Sequence, residues 1–188
     1  MASSTISESE VISRLLNVFR TYGYDGATMS RLSQAVGLEK ASLYHRYPKG
    51  KEQMVLAVAS SVCAWFDEHV FRVLKQDLPP LQLVEAVSIE LRNLYEDGTK
   101  SCVLDMLSIP SGGVELEATI RGATEAWIEA FKGISERSGF DSEEARNRAE
   151  DAIIRIEGSL VVSRARGHSL AFRRTIDELP RILLKSSV

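Results

Sequence analysis

The chain has 188 residues, of which 44% are hydrophobic and 26% are charged, and its formal net charge is −3. These values are those of an ordinary globular protein and exclude disordered and collagen-like chains. No continuous apolar run approaches the ~18 residues of a membrane-spanning helix, and no signal-peptide pattern is present. We therefore expect a cytoplasmic protein without membrane contact.

The two cysteines, Cys63 and Cys102, lie far apart in the sequence. They are too few for a disulfide framework, and no clustered Cys and His spacing indicates a metal site. Two free, mostly buried thiols are therefore expected, with no cofactor. A redox switch that uses one of these cysteines is an alternative.

Positive charge is concentrated near the N-terminus. Residues 1–53 contain seven Lys or Arg and five Asp or Glu, which gives this part a net charge of +2 although the whole chain is acidic. A local basic surface can contact phosphates in such a protein. Many solvated helix faces have a similar composition, so the charge distribution alone does not indicate nucleic-acid binding.

Three short helices are predicted at the N-terminus. Apolar residues with helical spacing indicate the first helix over residues 8–22. Thr28 is a suitable N-cap for a second helix over residues 29–36, which ends at Gly37. The third helix is expected over residues 39–47, because Pro48 follows.

The rest of the chain has a helical pattern as well. No strand alternation and no repeat is found, so we predict an all-α fold of about nine helices. The expected domains are a helix-turn-helix domain at residues 1–50 and a ligand-binding and dimerisation domain at residues 51–188. Beyond residue 50, the predicted elements are 51–78, 81–96, a short apolar segment at 102–109, 114–137, 142–166 and 169–185.

The second and third helices are joined by a tight turn, and the third is polar along one side. This arrangement is typical of a helix-turn-helix, whose second helix enters the DNA major groove. Leu43 and Tyr47 are four residues apart and should face the core. Lysines neutralise phosphates, hydroxyl groups bind phosphate oxygens, and His45 and Arg46 have groups suited to base edges.

The same segment resembles a known family. Residues 10–56 are similar to the N-terminal domain of TetR/AcrR-type transcriptional regulators. Gly50 resembles a one-residue extension of the turn found in the LmrA/YxaF-like branch. His45 and Arg46 stand where the family usually has aromatic residues. The similarity lies in Phe19-Arg-Thr-Tyr-Gly-Tyr, Gly26-Ala-Thr-Met-Ser-Arg-Leu, Ala35-Val-Gly-Leu and Ser42-Leu-Tyr-His-Arg-Tyr-Pro-Lys-Gly-Lys-Glu.

The resemblance and the side-chain chemistry together give a set of DNA-binding candidates. They also imply that the partner is a double-stranded operator. The alternative for each residue is that it caps a helix or covers the surface. The candidates are Thr28, Lys40, Ser42, Tyr44, His45, Arg46 and Lys51.

The last two long helices have apolar faces that suit pairing of two chains. The resembling family forms homodimers through two such helices, and a dimer would bind a palindromic operator with two half-sites. A single chain would also bury one face of each helix. The candidate interface residues are Ile153, Ile156, Leu160, Val161, Phe172, Ile176, Leu179, Ile182 and Leu183.

Large side chains of the middle helices suggest a ligand pocket. Such pockets have apolar walls with a few polar groups. The alternative is plain hydrophobic core. The candidates are Trp65, Phe66, His69, Met106, Trp127 and Phe131.

Together with these features, the resemblance implies a TetR-type repressor that is released from DNA by a small hydrophobic or aromatic effector. An enzyme is not expected, because no GxSxG, Walker or HExxH motif is present. An activator, or a redox-responsive regulator that uses Cys63 or Cys102, is the alternative on the same fold.

Overall fold

The computed structural model describes residues 6–102 and 113–185. These residues contain no β-strand, which confirms the predicted all-α fold. The sixth predicted element in chain order, at 102–109, lies outside the described residues from position 103 onward. Eight helices of seven or more residues are described: α1 Glu8–Gly26, α2 Met29–Val36, α3 Lys40–Arg46, α4 Lys51–Phe66, α5 Pro80–Leu94, α6 Gly113–Arg137, α7 Ser142–Arg166 and α8 Leu170–Leu183.

The described residues form two compact units. Residues 6–63 and 113–121 form the N-terminal unit, and residues 64–102 and 122–185 form the C-terminal unit. The predicted functional boundary at residue 50 stays a prediction.

Helices α1 to α3 pack around a small apolar core. Phe19 of α1, Leu32 of α2 and Leu43 of α3 are fully buried. The connections are held by side-chain bonds to the backbone, because helix ends leave polar groups without partners. The Thr28 hydroxyl accepts the amide of Arg31 at 3.3 Å, and Arg14 Nη1 donates to the carbonyl of Val36 at 3.0 Å.

In the C-terminal unit, α8 packs against α7 and α5. The aromatic rings of Tyr95 and Phe172 meet edge to face, with their centroids 5.7 Å apart. The amide of Phe172 donates to the Ser163 hydroxyl at 3.2 Å. The start of α8 is thereby fixed against α7.

Helix α4 continues through a π-helical turn, Asp67–Phe71, into a last helical turn, Arg72–Leu74. By length and composition, the segment Lys51–Leu74 is the one among the described residues that could cross a membrane. Core helices of water-soluble proteins meet the same criterion. Buried residues recur along one face of this segment, as expected for a helix with one face in a core. They are Met54, Val55, Val58, Ala59, Val62, Phe66, Val70 and Leu74.

Candidate nucleic-acid interface and effector site

Helix α3 presents a polar face to solvent. Leu43 and Tyr47 are buried, as predicted, so the opposite side of the helix is exposed. Ala41 lies on this exposed side, and the sequence analysis omitted it although the helical spacing from Leu43 indicates it. An alanine methyl can contact a thymine methyl. The exposed predicted residues of this helix are Lys40, Ser42, Tyr44 and His45.

The turn before α4 positions Tyr44. Gly50 has φ +65°, and a Cβ atom at this glycine would lie 3.3 Å from Cε1 of Tyr44. The ring therefore lies directly over the glycine backbone, where a larger residue would displace it. The neighbouring Lys49 is exposed and forms no ion pair within the described part of the chain. Its exposure makes it a further phosphate-binding candidate that the sequence analysis omitted.

Arg46 points away from the exposed face of α3. Its Nη1 lies 3.3 Å from Oε2 of Glu8, and its Nη2 donates to the carbonyl of Ile6 at 3.1 Å. The neighbouring Tyr47 hydroxyl donates to the other carboxylate oxygen of Glu8. Burial and this hydrogen bond raise the pKa of Tyr47. The geometry thus gives Arg46 a structural role at the start of α1 in place of the predicted contact with bases.

Lys51 and Thr28 are partly engaged within the domain. Lys51 Nζ donates to the backbone carbonyl of Tyr24 at 2.9 Å and lies 4.1 Å from the centroid of the Tyr24 ring. The exposed Thr28 accepts the Arg31 amide, and a hydroxyl that accepts one bond can still donate another. Both residues keep donors for a phosphate, but their positions are set by the fold.

Comparison with known proteins identifies this arrangement. A family model described as "Bacterial regulatory proteins, tetR family" matches residues 11–58, which include all of the helix-turn-helix. The transcriptional regulator LmrA of Bacillus subtilis is 20% identical over 166 residues, with 84% of this chain and 86% of LmrA covered. The chain therefore contains the N-terminal domain that is typical of TetR-family regulators.

Further similarities agree with this assignment. The transcriptional repressor AcnR of Corynebacterium jeikeium is 42% identical over 50 residues, which cover 27% of this chain and 26% of AcnR. A TetR transcriptional regulator from Legionella pneumophila has the same fold, with a TM-score of 0.82 and 20% identity over 97% of this chain and 100% of that chain. TetR-family regulators are not enzymes, in agreement with the prediction.

Five of the predicted pocket residues come together in an aromatic cluster in the C-terminal unit. The rings of Phe66 and Trp127 lie 4.9 Å apart, and those of Trp127 and Phe131 lie 5.9 Å apart. Trp65 stacks on His69 at 4.6 Å, and its carbonyl lies 3.0 Å from His69 Nδ1. The rings of Trp65 and Phe66 lie 5.5 Å apart, so all five rings form one continuous series of contacts, which is equally the arrangement of a packed core.

Two features bear on the pocket prediction. Met106 lies outside the described residues. Trp127 is 1% exposed, and its indole N–H has no acceptor in the part of the chain that the structure describes. An unpaired buried donor costs about 1–3 kcal/mol, so a ligand with an acceptor would be favoured there.

The predicted interface residues of α7 and α8 are mostly core residues of one chain. Eight of the nine are buried within the protomer, and only Val161 is exposed. A side chain buried inside one chain is not available to a second chain, so the other eight leave the candidate interface. The exposed apolar residues of this region lie one position away: Ile154, Val161, Val162 and Leu170.

The cysteines offer little support for the redox alternative. Cys102 is buried, and the Tyr95 hydroxyl lies 3.4 Å from its Sγ. Burial raises the pKa of the Cys63 thiol. Because the thiolate is the reactive form, a raised pKa lowers the reactivity of Cys63 toward oxidants.

Proposed function

We propose that this chain is a cytoplasmic homodimeric repressor of the TetR family that binds a palindromic operator and is released by a small apolar effector. The observation that carries the DNA-binding part is the exposed polar face of α3. This face stands on a helix-turn-helix whose buried side is fixed by Leu43 and Tyr47. A short, exposed second helix of this kind fits the major groove.

The exposed side chains divide into two roles. Lys40 and Lys49 neutralise phosphates, which provides salt-dependent affinity. The hydroxyl groups of Ser42 and Tyr44 bind phosphate oxygens and fix the position of the helix along the duplex. His45 and the methyl group of Ala41 reach base edges and supply sequence preference.

Pairing of two chains follows from the exposed apolar residues of α7. Val161 and Val162 follow Ile154 by seven and eight positions, so the three residues lie on one broad face of the helix. Ile154 is 67% exposed, and Leu170 at the start of α8 is 66% exposed. Side chains of this kind in one patch favour contact with a second copy. Two copies present two recognition helices to two half-sites.

The effector binds the C-terminal unit. Support comes from the aromatic cluster and from the unpaired indole N–H of Trp127. The repressor role is supported by AcnR, which is named a repressor and is similar to the N-terminal domain. An effector lowers DNA affinity only by its preference for one of two conformations, which typically amounts to ~1–3 kcal/mol.

The DNA-binding proposal is tested with two matched tyrosine variants. Tyr44 is 49% exposed on α3, and Tyr22 is 48% exposed on α1. Operator sequences are first selected from a randomised duplex pool, and affinity is then measured by fluorescence anisotropy at two salt concentrations. We expect tight, salt-sensitive binding that Tyr44→Ala weakens about ten-fold or more, whereas Tyr22→Ala changes it by less than about two-fold.

Two results would contradict the proposal. If no duplex is selected at low salt, the chain does not bind DNA in the proposed way. If both tyrosine variants weaken binding equally, the exposed face of α3 is not the contact surface. Circular dichroism of each variant establishes that it is folded before its affinity is interpreted.

A further inference from the structure

A groove in the C-terminal unit lies between the end of the α4 segment and α6. Its volume is about 410 Å³, within the range of small-molecule sites. The walls are apolar and are formed by Phe71, Leu74, Ala130 and Ile134, with Gly133 on the same stretch of α6. The polar lining residues are Lys75, Gln76, Asp77, Glu129 and Arg137.

Gly133 keeps this groove open. It lies in the interior of the 25-residue helix α6, where glycine costs roughly 1 kcal/mol relative to alanine. A Cβ atom at this position would meet no described atom within 4 Å. Packing therefore does not require a glycine here. The absence of a side chain leaves volume between the walls.

The π-helical turn, Asp67–Phe71, ends at the inner wall of the groove. Such turns are rare and occur frequently at functional sites. The ring of Phe71 lies 6.0 Å from that of Phe66, which in turn contacts Trp127. The groove thus adjoins the aromatic cluster through a single ring.

Four charged residues line the groove: Lys75, Asp77, Glu129 and Arg137. Because Glu129 pairs with residues outside the groove, the other three leave a net charge of +1, which favours an anion. Arg137 is occupied, because it donates to the carbonyls of Leu74, Gln76 and Leu78. Glu129 is also occupied, because it pairs with Arg146 at 2.9 Å. Lys75 is exposed and forms no ion pair with any residue in the described ranges.

We propose that this groove binds a small monoanion with an apolar body, such as an aromatic or alkyl carboxylate or sulfonate. The apolar body lies over Gly133 against Phe71 and Ile134, and the acid group meets Lys75. The proposal rests on the proposed function in one respect, since this ligand is the effector that weakens DNA binding.

The test uses two fluorescent probes, the anion 1-anilinonaphthalene-8-sulfonate and the uncharged N-phenyl-1-naphthylamine, with the full chain. Gly122 is the matched control for Gly133, because it lies in the same helix and a Cβ atom there also meets no described atom within 4 Å. Leucine improves helix propensity at both positions. We expect Gly133→Leu to weaken binding of both probes roughly ten-fold or more and Gly122→Leu to leave it unchanged.

Lys75→Gln tests the anion. We expect it to weaken binding of the sulfonate probe about two- to five-fold, with a smaller difference at high salt, and to leave the uncharged probe unaffected. Equal effects on the two probes would overturn the assignment of Lys75. Unchanged probe binding in Gly133→Leu would overturn the site.

Probe binding requires no DNA, so the groove is tested even if the DNA-binding proposal fails. The effector role is tested separately by DNA anisotropy with and without the sulfonate probe. We expect the probe to weaken DNA binding of the wild-type protein and of Gly122→Leu, but not of Gly133→Leu. A bound probe that leaves DNA affinity unchanged would overturn the effector role.

Discussion

At the scale of single residues, Glu8 connects the two ends of the DNA-binding domain. It accepts the hydroxyl of Tyr47 and pairs with Arg46, although 38 or more positions separate it from either residue. Neither contact has a sequence signal, because an exposed glutamate near an N-terminus has the same pattern with or without a partner. The sequence therefore placed Arg46 on the DNA surface by its chemistry, and only the folded chain shows it engaged elsewhere.

The Tyr47 hydrogen bond makes stability depend on alkaline pH. The pKa of Tyr47 is raised above its ordinary value near 10, mainly by burial and then by the bond to Glu8. A group with a raised folded pKa stabilises the fold fully below its unfolded pKa, and this contribution is lost as pH rises through the folded value. We expect Tyr47→Phe to lower the free energy of unfolding by about 1 kcal/mol at neutral pH. Above about pH 10, the unfolding free energy of this variant should fall less steeply than that of the wild type.

Urea unfolding followed by circular dichroism at pH 7 and at several values above about pH 9 measures this difference. Cys63 and Tyr24 also have raised pKa values, chiefly through burial, and both remain in the variant. The comparison therefore isolates Tyr47. Identical pH profiles for the two proteins would show that its hydroxyl does not titrate with folding.

His45 and Arg46 are adjacent but differ in exposure and in their contacts. His45 is exposed, whereas the Arg46 side chain is 24% exposed and bound to Glu8 and Ile6. We expect His45→Ala to weaken operator binding by about five-fold or more and to change unfolding free energy by less than about 0.5 kcal/mol.

Arg46→Ala should have the reverse effect. We expect it to cost about 1 kcal/mol of stability and to change operator affinity by less than about two-fold at a temperature where the protein is folded. Anisotropy and thermal unfolding of both variants give the comparison. If Arg46→Ala abolishes binding without a loss of stability, Arg46 contacts DNA after all.

At the scale of helices and turns, the sequence predicted most of the fold. Helix α2 agrees with its predicted range, and α6 and α7 agree within one residue at each end. Helical periodicity, caps, glycines and prolines are local signals, so they can be read without the tertiary structure. The π-helical turn was missed, because it inserts one residue without interrupting the apolar pattern.

The choice of helix face was the least predictable feature. Ile153 and Ile154 are neighbours with the same side chain, yet one is buried and the other is 67% exposed. Both faces of α7 contain apolar residues, so its composition does not distinguish the core of one chain from a surface. The packing of α8 against α7 determines which face is buried. This packing depends on contacts between residues that are far apart in the sequence.

A tight contact between Gly98 and Phe172 of α8 gives a prediction at this scale. Gly98 has φ +93°, and a Cβ atom there would lie 2.6 Å from Cβ of Phe172. Gly167 also has positive φ, +68°, but a Cβ atom there meets no described atom within 4 Å. We expect Gly98→Ala to cost about 2–5 kcal/mol, because overpacking adds to backbone strain, and Gly167→Ala to cost about 1 kcal/mol. Equal losses in urea unfolding would show that Phe172 moves aside freely.

At the scale of the whole molecule, the proposed operator binding requires pairing, because one recognition helix contacts only one half-site. The exposed residues Ile154 and Val161 lie on one face of α7, so two glutamates there would place four negative charges in a two-fold interface. We expect Ile154→Glu/Val161→Glu to be monomeric at micromolar concentration in sedimentation velocity. Ile89 of α5 is 59% exposed, and Ile89→Glu is the control that should stay dimeric.

The same variants separate pairing from DNA recognition. A second half-site bound by the same dimer acts at high effective concentration, which typically increases affinity by about 10²–10⁴-fold. The affinity of the monomeric variant for a two-site operator should therefore be lower by about 100-fold or more. Its affinity for a single half-site should equal that of the wild type. Ile89→Glu should bind both duplexes normally. A double variant that remains dimeric would place the interface on another face, whereas a monomer with full operator affinity would show that each chain binds DNA independently.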